Sequence, residues 1–135
     1  CQIYGRGGVD LDRSTLAKWC GVAAYHLAPV VDRMLVHLKR SGRLFMDETR
    51  APVLDPKAGK TKTGYLWAVT RDDRGWGGGD PPAVVFSYAP GRHGRHAMDI
   101  LTGFEGILQV DGYTGYDALA EPKRVGGMPI SIARR

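Results

Sequence analysis

The sequence predicts an α/β fold: a mixed sheet with flanking helices, preceded by a helical hairpin. Apolar residues recur at helical spacing through residues 11–40. After Gly42 the pattern changes to short apolar and β-branched runs bounded by glycine and proline. One short helical stretch interrupts these runs before the fourth of them. These observations divide the chain into a helical segment, residues 1–43, and an α/β core, residues 44–135.

The helical segment is expected to form two helices. Residues 1–10 are rich in glycine and are predicted to be loose. Asp12 or Ser14 can cap the first helix, because their side-chain oxygens accept hydrogen bonds from free backbone N–H groups. Pro29 is expected to break the pattern and to begin a second helix. Gly42 then ends the hairpin.

The apolar residues of the hairpin have two interpretations. The simpler one is packing in the core, which is expected for Trp19, Cys20, Val30, Met34 and Leu38. The alternative is a helix-turn-helix that reads DNA, because a turn near residues 25–29 and nearby basic residues are compatible with it.

The core segment alternates strands with short helices. The runs RLFMDET, GYLWAVTRDD and AVVFSYAP predict an antiparallel meander. A short helix at about residues 96–101 leads to the strand GILQVDGYTGY, so this connection is expected to be a crossover that makes the sheet mixed. YDALAEPKR predicts another helix, limited by Pro122, and ISIARR is a possible last strand.

Two acids follow apolar strand residues, Asp47 after LFM and Asp111 after ILQV. If the two strands are neighbours, the carboxylates meet at one edge of the sheet, where a divalent cation removes their repulsion. The residues alone leave this interpretation open beside a simpler one, in which both acids are polar turn residues at strand ends. Glu48 adjoins Asp47 and points to the opposite face of the strand, so it is expected to be a solvated or hydrogen-bonded neighbour.

The excess of basic residues favours a polyanionic partner such as nucleic acid. Nineteen Lys and Arg against fourteen Asp and Glu give a net charge of +5 and an isoelectric point near 9.4. The residues expected to contact DNA lie in two predicted loops and are Lys57, Lys60, Lys62, Arg92 and Arg95. GKTKTG lacks the spacing of a phosphate-binding loop, so it is interpreted as a basic hairpin loop.

Several other residues have plainer interpretations. His93 and His96 are three residues apart, but no cysteine or further histidine lies near them in sequence, so a zinc site is not expected. Asp117 is expected to be a surface acid. Trp67 is expected in the core, and Trp76 is expected to cover a loop.

Composition sets the expected setting of the chain. No apolar run approaches the ~20 residues that span a bilayer, and no secretory leader is visible. Two cysteines are too few for a disulfide framework, so a reducing, cytoplasmic location is expected. The chain starts without a methionine, which suggests a fragment or a processed product.

Longer motifs resemble a known family. The stretch from LFMDETRAPVLDP to SYAPGRHG, followed by GFEGILQVDGYTGY, is similar to the transposases of the insertion-sequence-66 family, and QIYGRGGVDLDRSTLAKWCG extends the resemblance upstream. The resemblance implies a ribonuclease H-like core of the Asp-Asp-Glu type. Such cores cut DNA and join a freed 3′ hydroxyl to target DNA with two Mg²⁺ or Mn²⁺ ions.

The resemblance also assigns roles. Asp47 and Asp111 match the family's two catalytic aspartates and are therefore expected to be catalytic residues and metal ligands. DNA, as transposon ends and target, is the implied partner, and a homo-oligomer is implied for the full-length protein. No membrane partner is expected.

The chain departs from the family pattern at its end. The family's catalytic Glu lies well downstream of the second aspartate, and Glu121, just before Pro122, is too early to match it. The chain is therefore expected to be inactive in transposition by itself. Two other functions stay open, a non-catalytic DNA-binding or interaction remnant and, more weakly, a glycoside hydrolase with two carboxylates.

Overall fold

The computed structural model describes residues 2–55 and 59–134. These residues form two compact units, which divide between Arg33 and Met34. The boundary suggested by the sequence, between residues 43 and 44, lies further along the chain. No helix in the described part of the chain is long and apolar enough to cross a membrane.

The first unit begins with a short helix, α1 (Gln2–Arg6), where the sequence predicted loose chain. Its end is set by glycine. The N–H of Gly7 donates to the carbonyl of Tyr4 at 2.9 Å, and Gly8 has a φ of 77°. Glycine tolerates this left-handed conformation without steric cost, so the pair stops the helix.

The second helix, α2 (Arg13–Leu38), is one continuous element of 26 residues. Asp12 caps it as predicted, because its Oδ1 accepts the N–H of Ser14 at 2.8 Å. The predicted helical hairpin is wrong, since Pro29 lies inside the helix. Proline removes one backbone donor, but the tyrosine, histidine, leucine and alanine before it all accept helical geometry. The turn that a helix-turn-helix would need is therefore absent from α2.

The predicted burial of the α2 residues is mostly wrong. Trp19 and Val30 are each 55% exposed, Met34 is 39% exposed, and Cys20 is exposed. Leu38 is buried, as predicted. Helical spacing shows that side chains share a face, but it carries no information about whether another element covers that face.

The second unit contains a five-stranded mixed sheet. Its strands are β1 (Arg43–Asp55), β2 (Lys60–Arg71), β3 (Ala83–Ala89), β4 (Ile107–Val110) and β5 (Ser131–Arg134). They lie in the order β3-β2-β1-β4-β5. The first three form the predicted antiparallel meander, whereas β4 is parallel to both β1 and β5. The predicted crossover, mixed sheet and last strand are confirmed.

Helical elements connect the strands. The 3-10 helix η1 (Arg74–Trp76) lies between β2 and β3, and α3 (Gly94–Ile100) precedes β4 close to its predicted position. The segment after β4 was predicted to form a helix limited by Pro122, and a helical element is found there. It is the 3-10 helix η2 (Thr114–Ala120), which lies between the glycine turn after Asp111 and Pro122.

The core lies on one face of the sheet. The apolar strand residues buried there are Leu44, Met46, Trp67, Val69, Val85, Ala89, Leu108 and Val110. The buried residues of α3 and η2 that join the same core are Ala97, Tyr116 and Leu119. Residues that alternate with the buried strand residues point to the opposite face. Large apolar side chains exposed on that face are Leu66, Val84, Phe86, Tyr88 and Ile107.

Two buried arginines hold loops of this unit. Arg71 is 1% exposed and donates to the Ser41 hydroxyl at 3.1 Å and to the Pro81 carbonyl at 3.0 Å. Arg124 donates to the Phe104 carbonyl at 2.6 Å. Burial lowers the pKa of Arg124. Carbonyl partners offset the cost of burying these guanidinium groups and fix the loops against the sheet.

Candidate active site

Asp47 and Asp111 lie at the same level of two neighbouring parallel strands. The last matched pair of β1 and β4 is Phe45 opposite Gln109. Asp47 and Asp111 come two residues further along each strand, so the same register places them side by side. β4 ends at Val110, and Asp111 therefore begins the turn that follows. The prediction that both acids lie at strand ends is wrong for Asp47, because β1 continues past it to Asp55. The register of β1 and β4 nevertheless brings the two acids to the same level.

The two aspartates open into a cleft. Its volume is ≈ 330 Å³, and its lining residues are Phe45, Met46, Asp47, Gln109, Val110 and Asp111. Both aspartates are exposed. Asp47 alternates with the buried Leu44 and Met46, so it belongs to the face opposite the core. A ligand can therefore reach the pair from solvent without displacing core residues.

Backbone N–H groups orient both carboxylates. Oδ1 of Asp47 accepts the N–H of Glu48 at 2.8 Å. Oδ1 of Asp111 accepts the N–H of Tyr113 at 2.9 Å. Each carboxylate is thereby fixed to its own segment, which reduces the number of rotamers it samples.

The donor set fits a hard cation such as Mg²⁺ or Mn²⁺ better than a softer metal such as Zn²⁺ or Cu⁺. Carboxylate oxygens suit Mg²⁺, which is typically held by one or two carboxylates together with water and substrate phosphate. No group of three His, Cys, Asp or Glu residues that could hold a metal ion occurs in residues 2–55 and 59–134. The pair alone therefore matches a cation whose other ligands come from solvent and substrate.

Glu48 is a buried acid directly beside this pair. Its side chain is 0% exposed, in keeping with its place on the core face of β1. Nε of Arg92 donates to its Oε1 at 2.5 Å, and the Tyr116 hydroxyl donates to its Oε2. The sequence expectation of a hydrogen-bonded neighbour on the opposite face is confirmed, but its complete burial was not foreseen.

The partners of Glu48 are themselves fixed. The Arg92 guanidinium lies 3.9 Å from the centre of the Tyr113 ring, and the Tyr113 hydroxyl donates to the Arg92 carbonyl. The hydrogen bond to Glu48 raises the pKa of Arg92. Burial, followed by the hydrogen bond to Glu48 and the charges of Glu48, Asp111 and Asp47, raises the pKa of Tyr116, so its hydroxyl keeps the proton that it donates.

Comparison with known proteins identifies the family. Residues 1–128 match the family described as "Transposase IS66 family". The chain belongs to the IS66 transposase family. The resemblance found in the sequence is therefore confirmed at the level of the family.

The curated relatives of this IS66-family chain are longer proteins from Sinorhizobium fredii (strain NBRC 101917 / NGR234). The uncharacterized protein y4jD is 43% identical over 98% of the chain and 26% of its own length. The uncharacterized protein y4qI is 43% identical over 96% and 24%, respectively. The chain thus spans about a quarter of the length of these relatives. No solved structure matches the chain significantly.

The predicted DNA contacts of the IS66-family chain lie in different surroundings. Lys57 lies outside the described residues. Lys60 and Lys62 begin β2 and do not lie in a loop; both are exposed, and Nζ of Lys62 is 3.7 Å from Oδ2 of Asp55. Arg95 is exposed on α3. Arg92, by contrast, is paired with Glu48.

The remaining candidates have structural roles. Trp67 is fully buried, as predicted. Trp76 is half exposed and packs beside Phe45, with the Arg43 guanidinium 4.6 Å from its ring centre. Asp117 is exposed, as predicted, and forms an ion pair with Arg134.

The two histidines of α3 and its cap have no third ligand. The rings of His93 and His96 are 6.4 Å apart between centres. Neither belongs to a metal-binding group of three within the described part of the chain. This arrangement of the two histidines does not test the expectation that they form no zinc site.

Tyr113 and Tyr116 were not among the functional residues predicted from the sequence. Both follow Asp111 in the motif DGYTGY, but tyrosines near a turn carry no strong signal by themselves. A signal did exist at Glu48. Strand alternation places it on the same face as Leu44 and Met46, and a carboxylate buried there requires donors from elsewhere in the fold.

Proposed function

We propose that this chain is part of the catalytic core of a transposase that cleaves DNA and joins a 3′ hydroxyl to target DNA. The observation that carries the proposal is the shared register of Asp47 and Asp111 at one open cleft. Membership of the IS66 transposase family supports this chemistry. We further assign the second unit to the ribonuclease H-like fold, with which a meander followed by parallel β4 and β5 is compatible.

In this proposal Asp47 and Asp111 are the catalytic residues and hold Mg²⁺ (or Mn²⁺). The bound ions supply activation of the attacking water or hydroxyl and stabilisation of the leaving oxygen. The chain itself holds the two carboxylates at one level, through the sheet register and the N–H groups of Glu48 and Tyr113. Placement of Asp47 within β1 and of Asp111 directly after β4 reduces the reorganisation needed when a phosphate enters the cleft.

Exposed basic residues provide the proposed DNA contacts. Lys60, Lys62 and Arg95 can each reach solvent and bind backbone phosphates. Arg92 is a weaker candidate, because Glu48 offsets its charge. The net charge of +5 favours the approach of DNA at low salt.

The test is Mn²⁺ binding measured by calorimetry on the wild-type chain, Asp47→Ala and Asp111→Ala. Both substitutions should weaken binding by at least about tenfold, the size of effect that residues supporting a metal site commonly have. Asp72→Ala is the control, because Asp72 is also an acid near the end of a strand but pairs with Arg74. Equal Mn²⁺ affinity in all four proteins would overturn the assignment.

A second function, DNA binding without catalysis, is favoured by one observation. The described residues bring two acids together and not three. We therefore propose that the chain alone does not carry out strand transfer, and that it acts within a longer, homo-oligomeric protein. Binding to duplex DNA that weakens with salt in the same way with and without Mg²⁺, together with unchanged Mn²⁺ binding in the aspartate variants, would favour the non-catalytic function.

A further inference from the structure

Four residues form a polar cluster behind the two aspartates, in which the side chain of Glu48 and Tyr116 are buried and Arg92 is exposed. They come from three segments: Glu48 from β1, Arg92 from the loop before α3, and Tyr113 and Tyr116 from the chain after β4. We call this set the Glu48 cluster. Its contacts join the segment that carries Asp47 to the segment that carries Asp111.

Because the side chain of Glu48 is buried, its carboxylate depends on donors from the other segments of the cluster. An ionised carboxylate without water is tolerated where charged and polar donors replace its solvation. Arg92 provides one such donor, its Nε at 2.5 Å from Oε1 of Glu48, and its Nη2 forms an ion pair with the same oxygen at 2.5 Å. Tyr116 provides a second donor at the other oxygen. A shift of any of the three segments would leave the carboxylate with fewer donors.

Tyr113 completes the connection from the side of Asp111. Its ring covers the Arg92 guanidinium and its hydroxyl donates to the Arg92 carbonyl, while its N–H donates to Oδ1 of Asp111. On the other side, the N–H of Glu48 donates to Oδ1 of Asp47. The backbone groups that orient the aspartates therefore belong to residues whose side chains form the cluster.

We propose that Glu48, Arg92, Tyr113 and Tyr116 are positioning residues, which hold the carboxylates of Asp47 and Asp111 in one arrangement from the opposite face of the sheet. The significance for catalysis rests on the proposed function. None of the cluster residues is a metal ligand in this assignment. They act as outer-shell partners act in metal sites, by restricting the orientation of the ligands.

The first test follows the two orienting amides without any metal. Hydrogen exchange of the Glu48 and Tyr113 N–H groups is measured by NMR in the wild type, in Glu48→Gln and in the milder Tyr116→Phe. Both variants should exchange these two amides at least about tenfold faster, because the segments are no longer held together. Asp117→Asn is the control on η2, since it removes an exposed acid and leaves the cluster intact.

A stability control separates positioning from general destabilisation. Val85→Ala removes buried volume from β3, away from the cluster. In Val85→Ala the N–H groups of Glu48 and Tyr113 should keep their wild-type protection from exchange, relative to the other amides of the sheet. Unchanged exchange in both cluster variants, or the same acceleration in Val85→Ala, would overturn the proposal.

The second test is Mn²⁺ affinity in Tyr116→Phe and Arg92→Lys, both kept below their melting temperatures. Affinity should fall by about 10–100-fold, the range typical of outer-shell substitutions, and Val85→Ala should retain it. Faster exchange at the two amides combined with Mn²⁺ binding that ignores Asp47→Ala would reject the proposed function and leave the positioning role standing. If the Glu48 and Tyr113 amides exchange as slowly as in the wild type and Mn²⁺ affinity is unchanged in the cluster variants, the positioning role is rejected and the proposed function stands.

Discussion

At the scale of single residues, Gly94 shows how little space separates α3 from η2. A Cβ at this position would lie 2.1 Å from the backbone oxygen of Gly115. We expect Gly94→Ala to lower the free energy of unfolding by about 1–3 kcal/mol, because a backbone carbonyl cannot move aside as a flexible side chain can. Urea unfolding measures the change. Gly42→Ala is the control, since nothing lies within 4 Å of its Cβ position, and equal midpoints for the two variants would contradict the close approach.

A second residue-scale prediction concerns Asp72. Its hydrogen bonds from Arg74, at 2.8 and 2.7 Å, are the main reason why its pKa is lowered from 3.8 to about 2. A lowered carboxyl pKa means that the pair stabilises the fold above about pH 4, and that this contribution is lost as the pH falls through about 2. Carboxyl ¹³C titration should show the low pKa in the wild type and its return toward 3.8 in Arg74→Gln. An Asp72 that titrates near 3.8 in both proteins would contradict the pair.

The positions of candidate site residues could be predicted where the apolar strand pattern is clear. The apolar runs before Asp47 and Asp111 were correctly predicted to be strands, and the register brings the two acids to one level. The predicted strand end at Asp47 was wrong, because β1 continues to Asp55. The burial of Glu48 could not be predicted with its partners, because Arg92 and Tyr116 lie 44 and 68 residues away along the chain. Local patterns do not contain contacts of that separation.

At the scale of elements, the strands were easier to predict than the helices. β-branched and aromatic runs bounded by glycine and proline located the meander and β4, because both signals are local. The prediction for α2 was wrong at Pro29. Proline breaks many helices, but within a long helix it removes only one backbone hydrogen bond. The type of helix at η2 could not be predicted, because a few residues with helical spacing fit an α-helix and a 3-10 helix equally well.

The continuous α2 leads to an element-scale prediction. Pro29→Ala should increase the helical signal in far-UV circular dichroism and stabilise the helix by up to about 3 kcal/mol, because a backbone donor is restored inside it. If this segment were a hairpin, Pro29→Ala should lower the helical signal and the stability, since proline is favourable at the first turn of a second helix. Ala28→Gly serves as the control and should weaken a continuous helix by about 1 kcal/mol. A Pro29→Ala variant with unchanged or lower helicity would restore the hairpin.

At the scale of the whole molecule, the sheet has one face in the core and another with exposed apolar side chains. Phe86 is 59% exposed and Tyr88 is 50% exposed, both on β3. β3 also lies at the edge of the sheet, where backbone groups on its outer side have no partner strand within the sheet order. Edge strands with apolar side chains and no charge are common sites of association between chains.

We therefore expect the isolated chain to self-associate as its concentration rises, and Phe86→Lys to suppress this association. The lysine places a charge on the edge strand and removes the most exposed aromatic side chain of β3, so pairing with a second chain would bury that charge. Sedimentation velocity over a range of protein concentrations measures the effect. Thr61→Lys adds the same charge at an exposed position of β2, opposite Leu54 and away from β3, and should associate like the wild type. A wild-type chain that stays monomeric would show that β3 does not drive association. Equal suppression by both lysines would show that added charge, and not the β3 edge, controls association.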